Sequence, residues 1–217
     1  MQQPTGRRFE IGEALGAGWR LFWPNILPMA LFALIVWAVN GLLQLLRDDA
    51  GWFVSFLLGL TGFIVGQLVA IGWIKLALDI TDGRPVSAEA VLDRFRLVVP
   101  YLIAAVLFGL MVGIGLVLLI VPGVIAFIVF AFYGFHIVDT GEQNPFEALR
   151  RSAELTRGHR WQLFLFGLVL IGINILGLLV LLVGVLISSG ISLLAVAYVY
   201  RRLAAPVAGP ASEAATS

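Results

Sequence analysis

The chain alternates between long apolar runs and shorter charged stretches. A helix needs about 20 apolar residues to cross the hydrocarbon of a bilayer. The apolar runs are long enough for six crossings, which we place near residues 25–46, 52–80, 101–121, 124–138, 161–183 and 186–200. The pattern therefore predicts an all-α membrane protein with six transmembrane helices.

Local breaks in the apolar pattern predict the turns between paired helices. A polar stretch at 47–51 separates the first pair. The Val-Pro-Gly sequence at 121–123 divides the middle pair, because proline removes a backbone donor and glycine permits a tight reversal. In the last pair, Gly184 or the Ser-Ser-Gly sequence at 188–190 is the expected turn. A turn inside the hydrocarbon would leave backbone N–H and C=O groups unpaired in lipid. We therefore expect this turn at the far interface of the membrane.

One arrangement of residues occurs three times along the chain. A glutamate in an amphipathic stretch is followed eighteen residues later by Leu-Phe-Ala-Leu or Leu-Phe-Gly-Leu, starting from Glu13, Glu89 and Glu147. Each copy leads into two apolar runs, which is typical of an internal repeat. We predict three parallel repeated hairpins in one integral membrane domain, residues 1–203, with repeat units at about 9–80, 86–140 and 144–202.

Each hairpin is preceded by a predicted amphipathic interfacial helix. In the third copy, Asn144 is the expected N-cap, Pro145 the first helical residue and Gly158 the terminator. Packing beneath the helix bundle is the alternative position for these helices. Contacts with the membrane surface are predicted for Trp19, Arg20, Phe95, Arg96, Arg150, Arg151, Arg157 and Trp161.

Composition supports the assignment to a bilayer. The chain is 60% hydrophobic and 12% charged, with a mean hydropathy of +1.01, which is too apolar for a water-soluble globule of 217 residues. A net charge of +1 does not indicate a nucleic-acid partner. The chain has no cysteine, which excludes disulfides, thiolate nucleophiles and cysteine metal sites.

Basic residues predict the orientation. With six crossings, thirteen of the fourteen lysines and arginines fall on one side, and Arg47 is the exception. The positive-inside rule then puts both termini in the cytoplasm. Residues 204–217 are rich in alanine, proline, glycine and serine and are expected to form a disordered cytoplasmic tail.

Polar residues within the crossings are the candidate functional contacts. Gln67 and Asn174 lie near the middle of the second and fifth crossings. A hydrogen bond between helices is the simplest interpretation, and a functional polar site is the alternative. Lys75 and Asp79 are one helical turn apart near the cytoplasmic boundary, where pairing and snorkelling would satisfy both. The two histidines lack metal-ligand spacing, so we predict no catalytic residue, cofactor or metal.

A resemblance follows from the second half of the chain. It rests on the Val-Pro-Gly sequence at 121–123, the segment Asn-Pro-Phe-Glu-Ala-Leu-Arg-Arg-Ser at 144–152, Leu-Thr-Arg-Gly at 155–158, and Trp161. These residues resemble a family of bacterial multi-helix membrane proteins that includes the membrane domain of glycerophosphodiester phosphodiesterases. The resemblance implies an integral domain of the bacterial inner membrane. The catalytic barrel of those relatives is absent from these residues, so no phosphodiesterase activity is expected.

The leading functional hypothesis is a non-enzymatic membrane module that organises lipid or partner proteins. Its expected partners are membrane lipids, with a membrane protein or a second copy of the chain as a further partner. The alternative is a small transporter or channel with a path between the three hairpins. A membrane-embedded lipid enzyme is the third hypothesis.

Overall fold

The computed structural model describes residues 9–45, 51–179 and 181–205, and every regular element in these ranges is a helix. The helices are α1 (Ile11–Phe22), α2 (Ile26–Leu45), α3 (Trp52–Thr81), α4 (Ala88–Asp93), α5 (Val98–Leu118), α6 (Ile120–Val129), α7 (Tyr133–Thr140), α8 (Pro145–Thr156), α9 (Arg160–Leu179) and α10 (Leu181–Ala204). Short 3-10 segments join α1 to α2 and α4 to α5. Three of the fourteen basic residues used to predict the orientation, Arg7, Arg8 and Arg47, and the predicted tail beyond residue 205 lie outside the described residues.

Six helical stretches in the described ranges are long and apolar enough to cross a membrane. They are Ile11–Leu42, Trp52–Thr81, Ala88–Leu118, Ile120–Thr140, Arg160–Leu179 and Gly184–Ala204. The chain is therefore a multi-pass membrane protein, as its hydropathy predicts. The first of these stretches includes the amphipathic helix α1, and the third includes α4. The fourth contains a helix break between α6 and α7.

The turn between α5 and α6 differs from its predicted position at 121–123. It is formed by Leu119, which has extended backbone angles of φ −164° and ψ 146°. Pro122 instead lies in the first turn of α6, where the backbone N–H groups have no partner in the helix and proline removes no bond. Gly123 allows α5 and α6 to approach closely, since a Cβ there would lie 2.5 Å from the side chain of Leu116.

The turn between the last two crossings also differs from the prediction. α9 ends at Leu179 and α10 begins at Leu181, so Gly184 and the segment 188–190 lie inside α10. Gly184 and Ser188 serve packing between the two helices, whereas Gly190 packs against Phe22 and Met29. A Cβ on Gly177 of α9 would lie 2.7 Å from the carbonyl oxygen of Gly184.

Helix α1 packs along α10 in the antiparallel direction. Glu13 of α1 is bonded to Arg202 near the end of α10, whereas Gly18 lies against Ile191 near its middle. A Cβ on Gly18 would lie 2.6 Å from the carbonyl oxygen of Ile191, so the two backbones are in contact. Phe9, just before α1, is buried and meets the ring of Phe166 in α9 edge to face at 5.7 Å. The buried face of α1 therefore packs against the helix bundle. This agrees with the alternative position of the amphipathic helices, in which they pack on the bundle instead of lying only at the membrane interface.

The buried core lies at one end of the bundle. We call it the charged end, because it also holds the ion pairs described below. Its largest buried side chains include Ile71, Leu76, Leu78, Leu97, Ile137, Leu194 and Tyr200. At the far end, where α2 is followed by α3, α5 by α6 and α9 by α10, large apolar side chains are exposed, among them Leu45, Trp52, Val117, Ile120 and Leu179. Such exposed surface is expected where helices face lipid.

Candidate functional site at the charged end

A buried ion pair lies near the end of α3. Lys75 and Asp79, one helical turn apart, bond to each other, and they are 9% and 2% exposed. The Nε of Arg84 lies 3.2 Å from Oδ1 of the same aspartate. The sequence-based pairing of Lys75 with Asp79 is confirmed. Both groups are buried, however, so pairing rather than snorkelling to water neutralises the lysine.

Further ion pairs connect α3 to two other helices. Arg201 of α10 lies 2.6 Å from Asp82, just after α3, and 2.7 Å from Asp139 of α7. The hydroxyl of Tyr200 donates to the same carboxylate of Asp139 at 3.0 Å. We call this set the ionic network, and its charged members are Lys75, Asp79, Asp82, Arg84, Asp139 and Arg201. Its three cations and three anions balance, and it joins the closing helix of each predicted hairpin.

A polar pocket opens beside the ionic network, between α7, α8 and α10. Its volume is about 460 Å³, and it is lined by His136, Asp139, Thr140, Glu142, Glu147, Arg151, Leu155, Tyr200 and Ala204. The acidic side chains in its wall are engaged by neighbours. Asp139 meets Arg201, Glu147 meets Arg151 at 3.1 Å, and Glu142 accepts the backbone N–H of Asn144 at 2.8 Å.

The pocket is built mainly from one continuous segment, residues 136–155, closed by Tyr200 and Ala204 of α10. Within that segment, α7 and α8 carry His136, Asp139 and Glu147, and the loop between these helices brings Glu142 nearby. In the described part of the chain, no group of three or more histidine, aspartate or glutamate residues is arranged to hold a metal ion. Asp139 and Glu147 are already paired with arginines, so Glu142 contributes most of the free negative charge of the pocket.

Helix α8 is fastened to a break in the fourth crossing. The chain leaves helical geometry at 130–132, between α6 and α7. The Ser152 hydroxyl donates to the carbonyl of Val129 at 2.9 Å and accepts from the N–H of Phe132 at 3.0 Å. The Thr156 hydroxyl donates to the same Val129 carbonyl at 3.2 Å. These bonds satisfy backbone groups that the break releases, which is a requirement inside a membrane domain.

The start and the end of α8 agree with the positions that its capping residues predict. The Asn144 side chain accepts from the N–H groups of Phe146 and Glu147, and Pro145 begins the helix. The helix ends at Thr156, and Gly158 follows with a left-handed φ of +86°. The N-cap and the terminator are both confirmed.

Comparison with known proteins identifies the family. A family model described as Domain of unknown function (DUF7847) matches residues 43–216. The chain belongs to the DUF7847 family. The match includes the ionic network, the pocket and α8, whereas α1 and most of α2 precede it. No curated protein and no solved structure matches the chain.

The predicted surface contacts of this DUF7847 member fall into different environments. Trp19 and Trp161 are 53% and 71% exposed, and Arg20 and Arg157 are also exposed. Phe95 instead packs against the core, so its apolar face turns inward. Arg96 is exposed and lies 3.7 Å from Asp93, while Arg150 and Arg151 are bound to carboxylates of their own helix.

The two candidate intramembrane contacts of the DUF7847 domain also differ. The Asn174 amide of α9 donates to Ser192 of α10 at 2.8 Å and accepts from Ser188 at 3.2 Å. This is a hydrogen bond between helices, as the sequence predicts for Asn174. Gln67 donates to the carbonyl of Phe63 in its own helix at 3.4 Å, and the described residues give it no bond to a second helix.

Sequence reasoning missed several functional residues of this domain. Asp82, Asp139 and Arg201 form the interhelical part of the network, yet none was predicted as a contact. The available signal was their position, since each ends or directly follows an apolar crossing. Ser188 and Ser192 were also missed, although their spacing of one turn puts both hydroxyls on the face that meets Asn174.

Proposed function

We propose that the protein is a non-enzymatic multi-pass protein of the bacterial cytoplasmic membrane that organises lipid or partner proteins there. Both termini lie in the cytoplasm under this proposal. The one-sided distribution of arginines supports it, because the charged end carries the basic residues of α8, of α10 and of the segment after α3.

The same proposal includes three parallel hairpins with surface-active amphipathic helices. The order of elements supports the repeat, since α1 and α4 begin the first stretch of their pairs and α8 directly precedes the third pair. The buried faces of α1 and α8 pack within the protein, so membrane contact would come from their opposite faces. Exposed Trp19 on α1 and Phe146 on α8 are suitable for that contact.

The internal pairing of polar groups is the observation that carries a binding function rather than transport. The ionic network is balanced internally, and the carboxylates that line the polar pocket beside it have bonding partners within the protein. In the crossings, Asn174 is satisfied by two serines of the neighbouring helix. Polar groups that serve a transport path would need to face water or a substrate. Binding at the outer surface is therefore better supported.

Lipid retention tests this proposal. The purified protein would be equilibrated in detergent micelles with total bacterial phospholipid and examined by native mass spectrometry for lipids that stay bound. Trp19→Ala should reduce retention, because the proposal assigns lipid contact to the exposed face of α1, where this indole is 53% exposed. Trp37→Ala is the matched control, since Trp37 is 69% exposed but lies within the crossing formed by α2. Equal retention in both variants and the wild type would argue against surface binding at α1.

The alternative is a small transporter or channel with a path between the hairpins. The helix break at 130–132 favours it, because discontinuous helices line the substrate sites of many transporters. Ion or solute flux in proteoliposomes would distinguish the two functions. Flux that is lost in Asn174→Leu or Gln67→Leu would establish transport, whereas our proposal predicts the same leak as in liposomes without protein.

A further inference from the structure

The arginines around α8 differ in whether the protein supplies their counter-charge. Arg150 lies 3.6 Å from Glu147 and 3.1 Å from Glu154, and Arg151 lies 3.1 Å from each of the same carboxylates. The hydrogen bond from Arg150 lowers the pKa of Glu154, which keeps this carboxylate ionised. Two cations and two anions thus cancel on the exposed face of α8.

Two further arginines lie at the turn from α8 to α9 and lack such compensation. Arg157 and Arg160 are exposed and flank Gly158, whose φ of +86° sets the turn. Within the part of the chain that the structure describes, neither arginine has an ion pair or a side-chain hydrogen bond. Their two positive charges therefore require a partner from outside the protein or from solvent.

An aromatic side chain adjoins these arginines. Trp161 is 71% exposed in the first turn of α9, and its ring stacks on Phe164 with centroids 5.4 Å apart and planes inclined by 26°. Stacking holds the indole against the outer surface of a membrane-crossing helix. Exposed tryptophans at helix ends are typical of the headgroup region, where the ring meets acyl chains and its N–H meets polar groups.

We propose that residues 157–161, which we call the arginine corner, bind the headgroup phosphate of an anionic phospholipid. Phosphatidylglycerol has the required chemistry, because its phosphate matches the guanidinium groups and its acyl chains can lie along α9. The proximity of free cations and an exposed indole at the start of a crossing favours a lipid over soluble phosphate. This inference rests on the proposed lipid-organising function and assigns it a site.

Competition between two phospholipids tests the arginine corner. The intact protein in mixed micelles would be offered phosphatidylglycerol and phosphatidylcholine together, and bound lipids would be counted by native mass spectrometry. The wild type should retain phosphatidylglycerol preferentially. Each arginine near an anionic surface contributes about a fivefold preference, so R157Q/R160Q should lower it about 25-fold. Unchanged thermal unfolding would show that this variant remains folded.

The matched control is R150Q/R151Q, which removes the same number of positive charges from the neighbouring helix. Because these arginines are already neutralised, the control should lose less than about fivefold. An equal loss in both double variants would mean that general electrostatics attracts the lipid, which overturns the site. Displacement of the lipid by inorganic phosphate alone would also overturn it, since the acyl chains would then add nothing.

Failure of the corner and failure of the proposed function give different results. If R157Q/R160Q retains the full preference of the wild type, the arginine corner is wrong and lipid binding occurs elsewhere. If the wild type has no preference for phosphatidylglycerol and retains no lipid of any class, both the corner and the lipid-organising function are wrong.

Discussion

The charged end and the far end of the bundle consist of similarly apolar helices, yet they pack differently. Leu194 and Tyr200 near the charged end are almost fully buried, whereas Val117 and Trp52 at the far end are 88% and 84% exposed. The hydropathy of a whole crossing does not show this difference, because each crossing runs from one end to the other. The difference lies in the ion pairs that join α3, α7 and α10 at the charged end, since small residues such as Gly123 and Gly177 bring helices together at the far end as well.

This contrast follows from the physics of helix association in lipid. Apolar side chains gain little by leaving lipid for another helix, so close packing and hydrogen bonds must hold the helices together. The ionic network supplies such bonds at the charged end, and Gly18 provides close packing of α1 against the middle of α10. Substitutions that remove these contacts should destabilise the protein far more than similar changes at exposed positions.

The largest effect is expected from Asp79→Ala. It leaves the buried cation of Lys75 without its carboxylate, which should lower the free energy of unfolding by about 3–5 kcal/mol. Unfolding in micelles titrated with sodium dodecyl sulfate would measure the change. Asp93→Ala is the control, because Asp93 is exposed and lies 3.7 Å from Arg96, an arrangement worth about 1 kcal/mol at most. Equal losses in the two variants would contradict the special role of the buried pair.

The second-largest effect is expected at Gly18, where the backbones of α1 and α10 are in contact. Gly18→Val should lower the free energy of unfolding by about 3 kcal/mol, because its Cβ would meet the backbone carbonyl of Ile191 at 2.6 Å. Gly109→Val is the control, since a Cβ at Gly109 of α5 meets nothing within 4 Å in the described structure. Thermal unfolding of both variants in the same detergent would compare them. A comparable loss for Gly109→Val would mean that its face is packed, for example by a second copy of the chain.

The glycines also indicate how far sequence reasoning reaches. The small-residue spacing of Gly109 and Gly113 predicts a packing face, yet both lie in open space within the described chain. Gly18 makes the closer contact, although Gly12 and Gly16 are the two glycines of α1 that have the four-residue spacing. Which glycine meets another helix depends on the tertiary arrangement, and a single sequence does not contain that information.

Local signals were more informative. Asn144, Pro145 and Gly158 predict the bounds of α8, because caps act through bonds to residues two to four positions away. The pairing of Lys75 with Asp79 was predicted for the same reason. The contacts of Arg201 with Asp82 and Asp139 were not predictable, since they join residues 62 or more positions apart on three helices. The turn at Leu119 was displaced because proline is tolerated in the first turn of a helix.

A smaller effect is expected from Ser152→Ala. This substitution leaves the Phe132 N–H without its acceptor and removes one of two hydroxyl bonds to the Val129 carbonyl. The free energy of unfolding should fall by about 2 kcal/mol, the cost of an unsatisfied buried group. Hydrogen exchange should also rise at residues 129–133 as α8 loosens from the break.

Ser189→Ala is the control for this comparison. The Ser189 hydroxyl is exposed in α10 and bonds to a carbonyl of its own helix at 3.2 Å, so its removal should change stability by less than about 0.5 kcal/mol. If Ser152→Ala also had no effect on stability or exchange, the break would not depend on α8.

The smallest difference in stability is expected between substitutions of the two amides within the membrane, Asn174 and Gln67. Asn174→Leu breaks the bonds to Ser188 and Ser192 and should lower the free energy of unfolding by about 1 kcal/mol, the upper part of the range for such bonds in membranes. Gln67→Leu should have almost no effect, because Gln67 bonds to its own helix. Sodium dodecyl sulfate titration of both variants would compare them. A larger loss for Gln67→Leu would show that its amide has a partner outside this chain, and the middle of α3 would then be an interface as well as a lipid-facing surface.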